Sequence, residues 1–128
     1  MKKQTLLVLD DTYSIHRLPA NAPIPETVLS AEIFFIGKTK SELSIVCLQS
    51  IAVKAQESDK DWRILEVLGP LNLSMLGIMA GISEVLANAE ISIFVESTFE
   101  TDYILVKEKN LDKAIQALSD NGYTLQRK

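Results

Sequence analysis

An α+β fold, with antiparallel sheets and the helices on one face, is predicted by three features of this 128-residue chain. From Trp62 to Gln126 the apolar pattern reads strand, helix, strand, strand, helix, strand. Two stripes with helical spacing interrupt the strands: Met75, Ile78, Met79, Ile82, Val85, Leu86 and Ala89, then Leu111, Ala114, Ile115 and Leu118. The third feature is an internal echo, in which Ile33-Phe34-Phe35 and Ser41 to Val46 precede Ile93-Phe94-Val95 and Thr101 to Val106 by sixty positions without a gap. The order of the second half is that of a ferredoxin-like βαββαβ unit, and the echo makes the first half a related, truncated copy. Tandem modules over residues 1–60 and 61–128 are expected.

Leu6 to Leu9 and Tyr13 to Leu18 are short apolar runs separated by Asp10-Asp11-Thr12, a combination that predicts a β-hairpin. Pro19 to Pro25 lacks several backbone donors and is expected to be a loop, with Pro25 opening a short helix over Glu26 to Leu29. Ile33 to Ile36 and Leu43 to Leu48 read as strands joined by a turn over Gly37 to Ser41. Lys54 to Asp61 is polar and aperiodic, which makes it the expected linker. Leu65 and Val67 share one face of the next strand, and Ser74 is the expected cap of the helix that follows. Ile91 to Val95 and Tyr103 to Val106 are apolar enough for strands within the sheet. Asn110 and Gly122 bound the last helix, and Tyr123 to Gln126 is the closing strand.

With 47% hydrophobic residues the chain is able to bury a core. Thirteen basic against seventeen acidic residues give a net charge of −4, and no run of Lys or Arg is present, so nucleic acid is not an expected partner. No apolar segment approaches the roughly 20 residues needed to cross a bilayer. Lys2-Lys3 and Leu6 to Leu9 are cut short by Asp10, which reads as a strand rather than a leader. The sole cysteine, Cys47, has no internal disulfide partner, which favours the reducing cytoplasm.

Catalytic signals are absent from the residues. His16 has no evident acid or nucleophile beside it, and burial of Cys47 in an apolar strand would raise its pKa. One Cys with one His does not make a zinc site, and a turn accounts for Asp10 and Asp11. Neither a phosphate-binding Gly-x-x-x-x-Gly-Lys loop nor a Gly-x-Ser-x-Gly elbow occurs. No enzyme activity, metal or cofactor is expected.

The segment Gly69-Pro70-Leu71-Asn72, Gly77, Ile91-Ser92-Ile93-Phe94 and the string Ser97-Thr98-Phe99-Glu100-Thr101-Asp102-Tyr103-Ile104-Leu105-Val106 resemble the ACT domain, in particular the aspartokinase-type and paired-ACT members that include cytosolic arginine sensors. Leu9-Asp10, Tyr13 to Leu18 and Glu42 to Cys47 extend the resemblance to the N-terminal half of small stand-alone paired-ACT proteins. That half departs from the full pattern, because its first helix is four residues long and no second helix is legible. The resemblance implies a regulatory module that binds a small molecule, often an amino acid, between modules or subunits. It singles out Phe99 and Asp102 as matching ligand positions.

The residues themselves supply parts for that task. Backbone N–H groups over Ser74, Met75, Leu76 and Gly77, at the start of a helix, favour a carboxylate, and Asn72 and Ser74 add side-chain hydrogen bonds. Asp102 is suited to pair with an amino group or basic side chain, and Phe99 to cover an aliphatic portion. Each also has a structural use. Gly69-Pro70 makes a turn, Ser74 caps, Gly77 admits a close approach, Asp102 suits a solvated hairpin, and Phe99 a hairpin tip. The expected protein is thus a non-catalytic, amino-acid-binding regulatory homodimer, with a dimerisation module lacking ligand binding as the alternative.

Overall fold

Both helical stripes form the helices they predict: α2 spans Ile78–Asn88 and α3 spans Leu111–Asp120. Their apolar residues Ile82, Leu86, Ala114 and Leu118 are wholly buried, whereas Glu84 and Asp112 face solvent. The structure, a computed structural model, describes residues 3–69 and 77–127. The remaining elements are β1 (Thr5–Leu18), α1 (Glu26–Leu29), β2 (Phe35–Lys38), β3 (Leu43–Leu48), β4 (Glu57–Gly69), β5 (Ile93–Ser97), β6 (Asp102–Lys107) and β7 (Thr124–Arg127), with a 3-10 turn at Glu108–Asn110. The class is α+β, and the chain divides into two compact units, residues 1–10 with 63–128, and residues 11–62.

In the first unit the strand order is β7-β1-β4-β6-β5. β5 and β6 pair antiparallel from Ile93↔Val106 to Ser97↔Asp102, while β1 and β7 pair in parallel from Thr5↔Thr124 to Val8↔Arg127. The insertion of β1 beside β7 follows from burial. Leu6 and Val8 alternate into the same core as Leu65, Val67, Ile104, Val106 and the buried residues of both helices.

Both helices end in a left-handed residue that redirects the chain. After α2, Glu90 takes φ +59 and the Ile91 N–H donates to the Leu86 carbonyl at 2.9 Å; after α3, Gly122 takes φ +92 and the Tyr123 N–H donates to the Leu118 carbonyl at 3.1 Å. These caps use the amides of Ile91 and Tyr123 and drop both side chains into the core. β5 and β7 consequently start at Ile93 and Thr124, later than the expected Ile91 and Tyr123.

In the second unit β3 lies between β2 and β1, with Phe35↔Val46 to Lys38↔Leu43 on one side and Tyr13↔Leu48 to Leu18↔Leu43 on the other. Leu18, Leu43, Ile45, Cys47 and Val28 of α1 form its core. β2 also begins later than expected, at Phe35, and runs through Gly37 and Lys38, which the sequence assigns to the turn.

Two expectations for the first half are overturned. Leu6 to Leu18 is one unbroken strand and not a hairpin. Asp10 and Asp11 are both exposed, so solvation replaces the reversal, and the Thr12 carbonyl accepts the Gln49 N–H at 2.9 Å. The expected linker also contributes to the sheet, because β4 starts at Glu57. Its polar side chains find partners on β1: Arg17 pairs with Glu57 at 3.1 Å, and His16 Nδ1 meets Ser58 Oγ at 2.7 Å.

Candidate functional site

β4 delivers the chain to the site at Val67, Leu68 and Gly69. Asn72, Ser74, Met75 and Leu76 of the expected site lie outside the described residues. At Gly77 the chain has φ +77 and forms the N-cap of α2; the cap expected at Ser74 falls outside the described residues. A left-handed cap is readily accommodated by a residue without a Cβ, and a Cβ added there would meet nothing within 4 Å. The backbone angle, rather than crowding, is what favours glycine.

Phe99 and Asp102 belong to the turn that joins β5 to β6. The Thr98 N–H donates to the Thr101 carbonyl at 2.9 Å, closing a four-residue loop between Ser97 and Asp102, which face each other across the hairpin. Phe99 stands at its tip with 86% of its surface exposed. Asp102 is partly buried, and its Oδ1 accepts the Ser97 hydroxyl at 2.5 Å.

One hydrogen bond places this turn against the end of β4. The Thr101 hydroxyl donates to the Val67 carbonyl at 2.6 Å, so the turn sits beside the last residues of β4. Negative charge gathers there. The Tyr103 phenol is pushed up by burial first and then by the negative charges of Glu66 and Glu100; Glu96, which faces Tyr103 across the hairpin, is raised by burial and so adds less charge. Such a surface attracts cations and opposes a free carboxylate unless N–H groups meet it.

The sequence assigns no role to Ser97 or Thr101 within the string Ser97 to Val106. Their partners are set by hairpin register, which residue type alone does not disclose; a four-residue loop is the signal that pairs Ser97 with Asp102.

Other sequence candidates sit elsewhere. Cys47 is buried and free, and burial pushes its thiol up, as its apolar strand led one to expect. A groove of about 380 Å³ in the second unit is lined by Asp11, Thr12, Leu48, Gln49 and Ser50 and contains none of the expected site residues. Among the described residues, no group of three or more His, Cys, Asp or Glu side chains is placed to hold a metal, and no helix is long and apolar enough to cross a membrane.

The strand order of the first unit and its two helices define an ACT-type fold. The family model for the ACT domain matches residues 57–120, half of the chain, and a second family model, for an N-terminal domain, matches residues 11–52. The chain belongs to the ACT domain family. It is 30% identical over 120 residues to cytosolic arginine sensor for mTORC1 subunit 1 of Pongo abelii, covering 87% of this chain and 36% of that protein. The chain therefore spans about a third of that relative's length. Among solved structures, protein Atu0741 of Agobacterium tumefaciens matches at TM-score 0.89 and 32% identity, over 100% of this chain and 96% of that one. The ligand-free regulatory subunit of aspartate kinase from Thermus thermophilus shares the fold at TM-score 0.59 and 12% identity, over 86% and 92% of the two chains.

Proposed function

We propose that this protein is a non-catalytic, cytoplasmic regulator that binds an amino acid at an interface between modules or subunits of a homodimer. The observation that carries the reading is the hairpin tip, where exposed Phe99 stands three residues from Asp102 beside the strand end that leads to Gly77. Asp102 receives a cationic amino or guanidinium group, Phe99 covers the aliphatic part, and the segment Asn72 to Gly77 meets the carboxylate. The acidic surroundings of Tyr103 support a ligand with positive charge on the hairpin side. The arginine-sensing relative, similar across this segment, points to the same class of ligand. Binding regulates by stabilising one arrangement of modules or subunits over another, to the extent of its differential affinity.

A second reading, an assembly module that binds no metabolite, is favoured by exposed apolar residues: Leu68, Val95 and Phe99. Calorimetric titration with each of the twenty amino acids, paired with light scattering, separates the two. Sensing requires heat with at least one amino acid at millimolar concentration, lost in Phe99→Ala and Asp102→Ala with the fold retained. Silence toward all twenty, with Phe99→Ala altering the mass of the particle, overturns sensing in favour of assembly.

A further inference from the structure

We infer that Ser97 is a positioning residue that fixes the Asp102 carboxylate for a cationic ligand group, an inference that rests on the reading of this hairpin as half of an amino-acid site. Ser97 and Asp102 are directly opposed at the last rung of β5 and β6, and the Ser97 hydroxyl donates to Asp102 Oδ1. A carboxylate on a hairpin otherwise turns about two side-chain torsions. Anchoring one oxygen selects a rotamer and leaves the lone pairs of Oδ2 for an incoming N–H donor. The ordering is then complete before a ligand arrives, which lowers the entropy lost on binding.

The second hairpin of the chain argues against a merely structural use of this pair. β2 and β3 are joined by a four-residue turn closed by the same bond, from the Thr39 N–H to the Glu42 carbonyl at 2.9 Å. At the rung equivalent to Ser97↔Asp102 it carries Lys38↔Leu43. The turn thus forms without a serine–carboxylate pair. Leu43, only 2% exposed, is committed to the core of its unit, and the tip position equivalent to Phe99 is Lys40. The anchored acid and the aromatic tip occur together in one hairpin and are both absent from the other.

Thr101 acts on the whole turn where Ser97 acts on one side chain. Its bond to the Val67 carbonyl ties the turn to β4, so Asp102 is held by a fixed backbone on one side and a fixed rotamer on the other. Neither role requires Ser97 or Thr101 to touch a ligand.

The test has an arm without ligand and an arm with it. In the free protein, Hα–Hβ coupling constants of Asp102 should report one rotamer in the wild type and averaging in Ser97→Ala, with amide exchange at Thr98 and Thr101 unchanged. A wild-type Asp102 that already averages, or one that stays fixed in Ser97→Ala, overturns the proposal whatever the protein binds. In titrations with L-arginine and with L-lysine, Ser97→Ala should weaken the responding ligand up to about tenfold, the loss expected when one side chain must be ordered on binding. Ser97→Thr should restore binding to within about twofold, and Ser97→Ala should add nothing to Asp102→Asn, since the two act as one unit. Additive losses overturn the positioning role. Failure of the wild type to bind either probe overturns the basic-ligand reading, while the rotamer arm still decides whether Ser97 anchors Asp102.

Discussion

Thr39 and Thr98 hold the same position in two hairpin turns: each donates its N–H to the carbonyl three residues on, at 2.9 Å, and each side-chain oxygen accepts an amide of its own turn. The strand registers place the two hairpins 59 residues apart, Phe35↔Val46 corresponding to Phe94↔Leu105. The echo in the sequence runs at sixty. A shift of one residue exchanges the faces of a strand, and burial follows the shorter spacing, with Ile45, Val46 and Cys47 matching Ile104, Leu105 and Val106.

Replacing either threonine with alanine should destabilise its own turn by about 0.5–1.5 kcal/mol. Thr39→Ala should cost more, because its hydroxyl oxygen accepts from both Ser41 and Glu42 N–H groups at 3.2 Å, whereas the Thr98 hydroxyl bonds Thr101 at longer range, accepting its N–H at 3.4 Å and donating to its carbonyl at 3.3 Å. The two turns share no partner, so the double variant should show the sum. Urea unfolding of the three variants measures this, and a reversed order or strong coupling contradicts the shared-turn account.

Acid should weaken the fold through His16. Its Nδ1 is bonded to Ser58, its buried Nε2 meets no hydrogen-bond partner among the described residues, and its pKa is lowered from 6.5 by burial first and by Lys60 second. The folded state therefore favours the neutral ring more than the unfolded state does. Its contribution is complete above about pH 6.5 and is lost as the pH falls below that value toward the folded pKa, at up to about 1.4 kcal/mol per pH unit. Unfolding free energies at pH 7.5 and 5.5 should show a larger acid loss for the wild type than for His16→Gln. Equal losses would remove His16 from the account.

Gln49 stabilises a left-handed residue inside β4. Asp61 has φ +67; its N–H donates to Gln49 Oε1 at 2.7 Å, Gln49 Nε2 returns a bond to Asp61 Oδ1 at 3.0 Å, and the Ser14 hydroxyl also reaches Gln49 Oε1 at 3.2 Å. Ser14 is 1% exposed, so Gln49→Ala leaves a buried hydroxyl without this acceptor and should cost about 1–3 kcal/mol. Asp61→Gly in the same background should recover about 1 kcal/mol, the cost of left-handed backbone for a residue with a Cβ. Thermal unfolding of the single and double variants gives both numbers, and no recovery on adding glycine contradicts strain at Asp61.

What the sequence offers toward the proposed site is residue type: a glycine at a helix start, Gly77, and, through the resemblance to the ACT domain, an aromatic residue and an acid in one short turn, Phe99 and Asp102. Ser97 and Thr101 escaped, since serine and threonine in a turn have many uses and only their partners, Asp102 and the Val67 carbonyl, distinguish one from another.

By itself the sequence determined the class, the α2 and α3 stripes and the existence of most strands, because burial on one face repeats at 3.6 or 2 residues and is written locally. Tertiary structure decided what depends on a distant partner. Asp10-Asp11-Thr12 continues a strand instead of turning, because Thr12 meets Gln49, and the polar stretch at Glu57 becomes part of β4, because Arg17 and His16 stand opposite. The offset of 59 and the anchoring of Asp102 by Ser97 likewise belong to strand register, in which one residue of slip changes every neighbour.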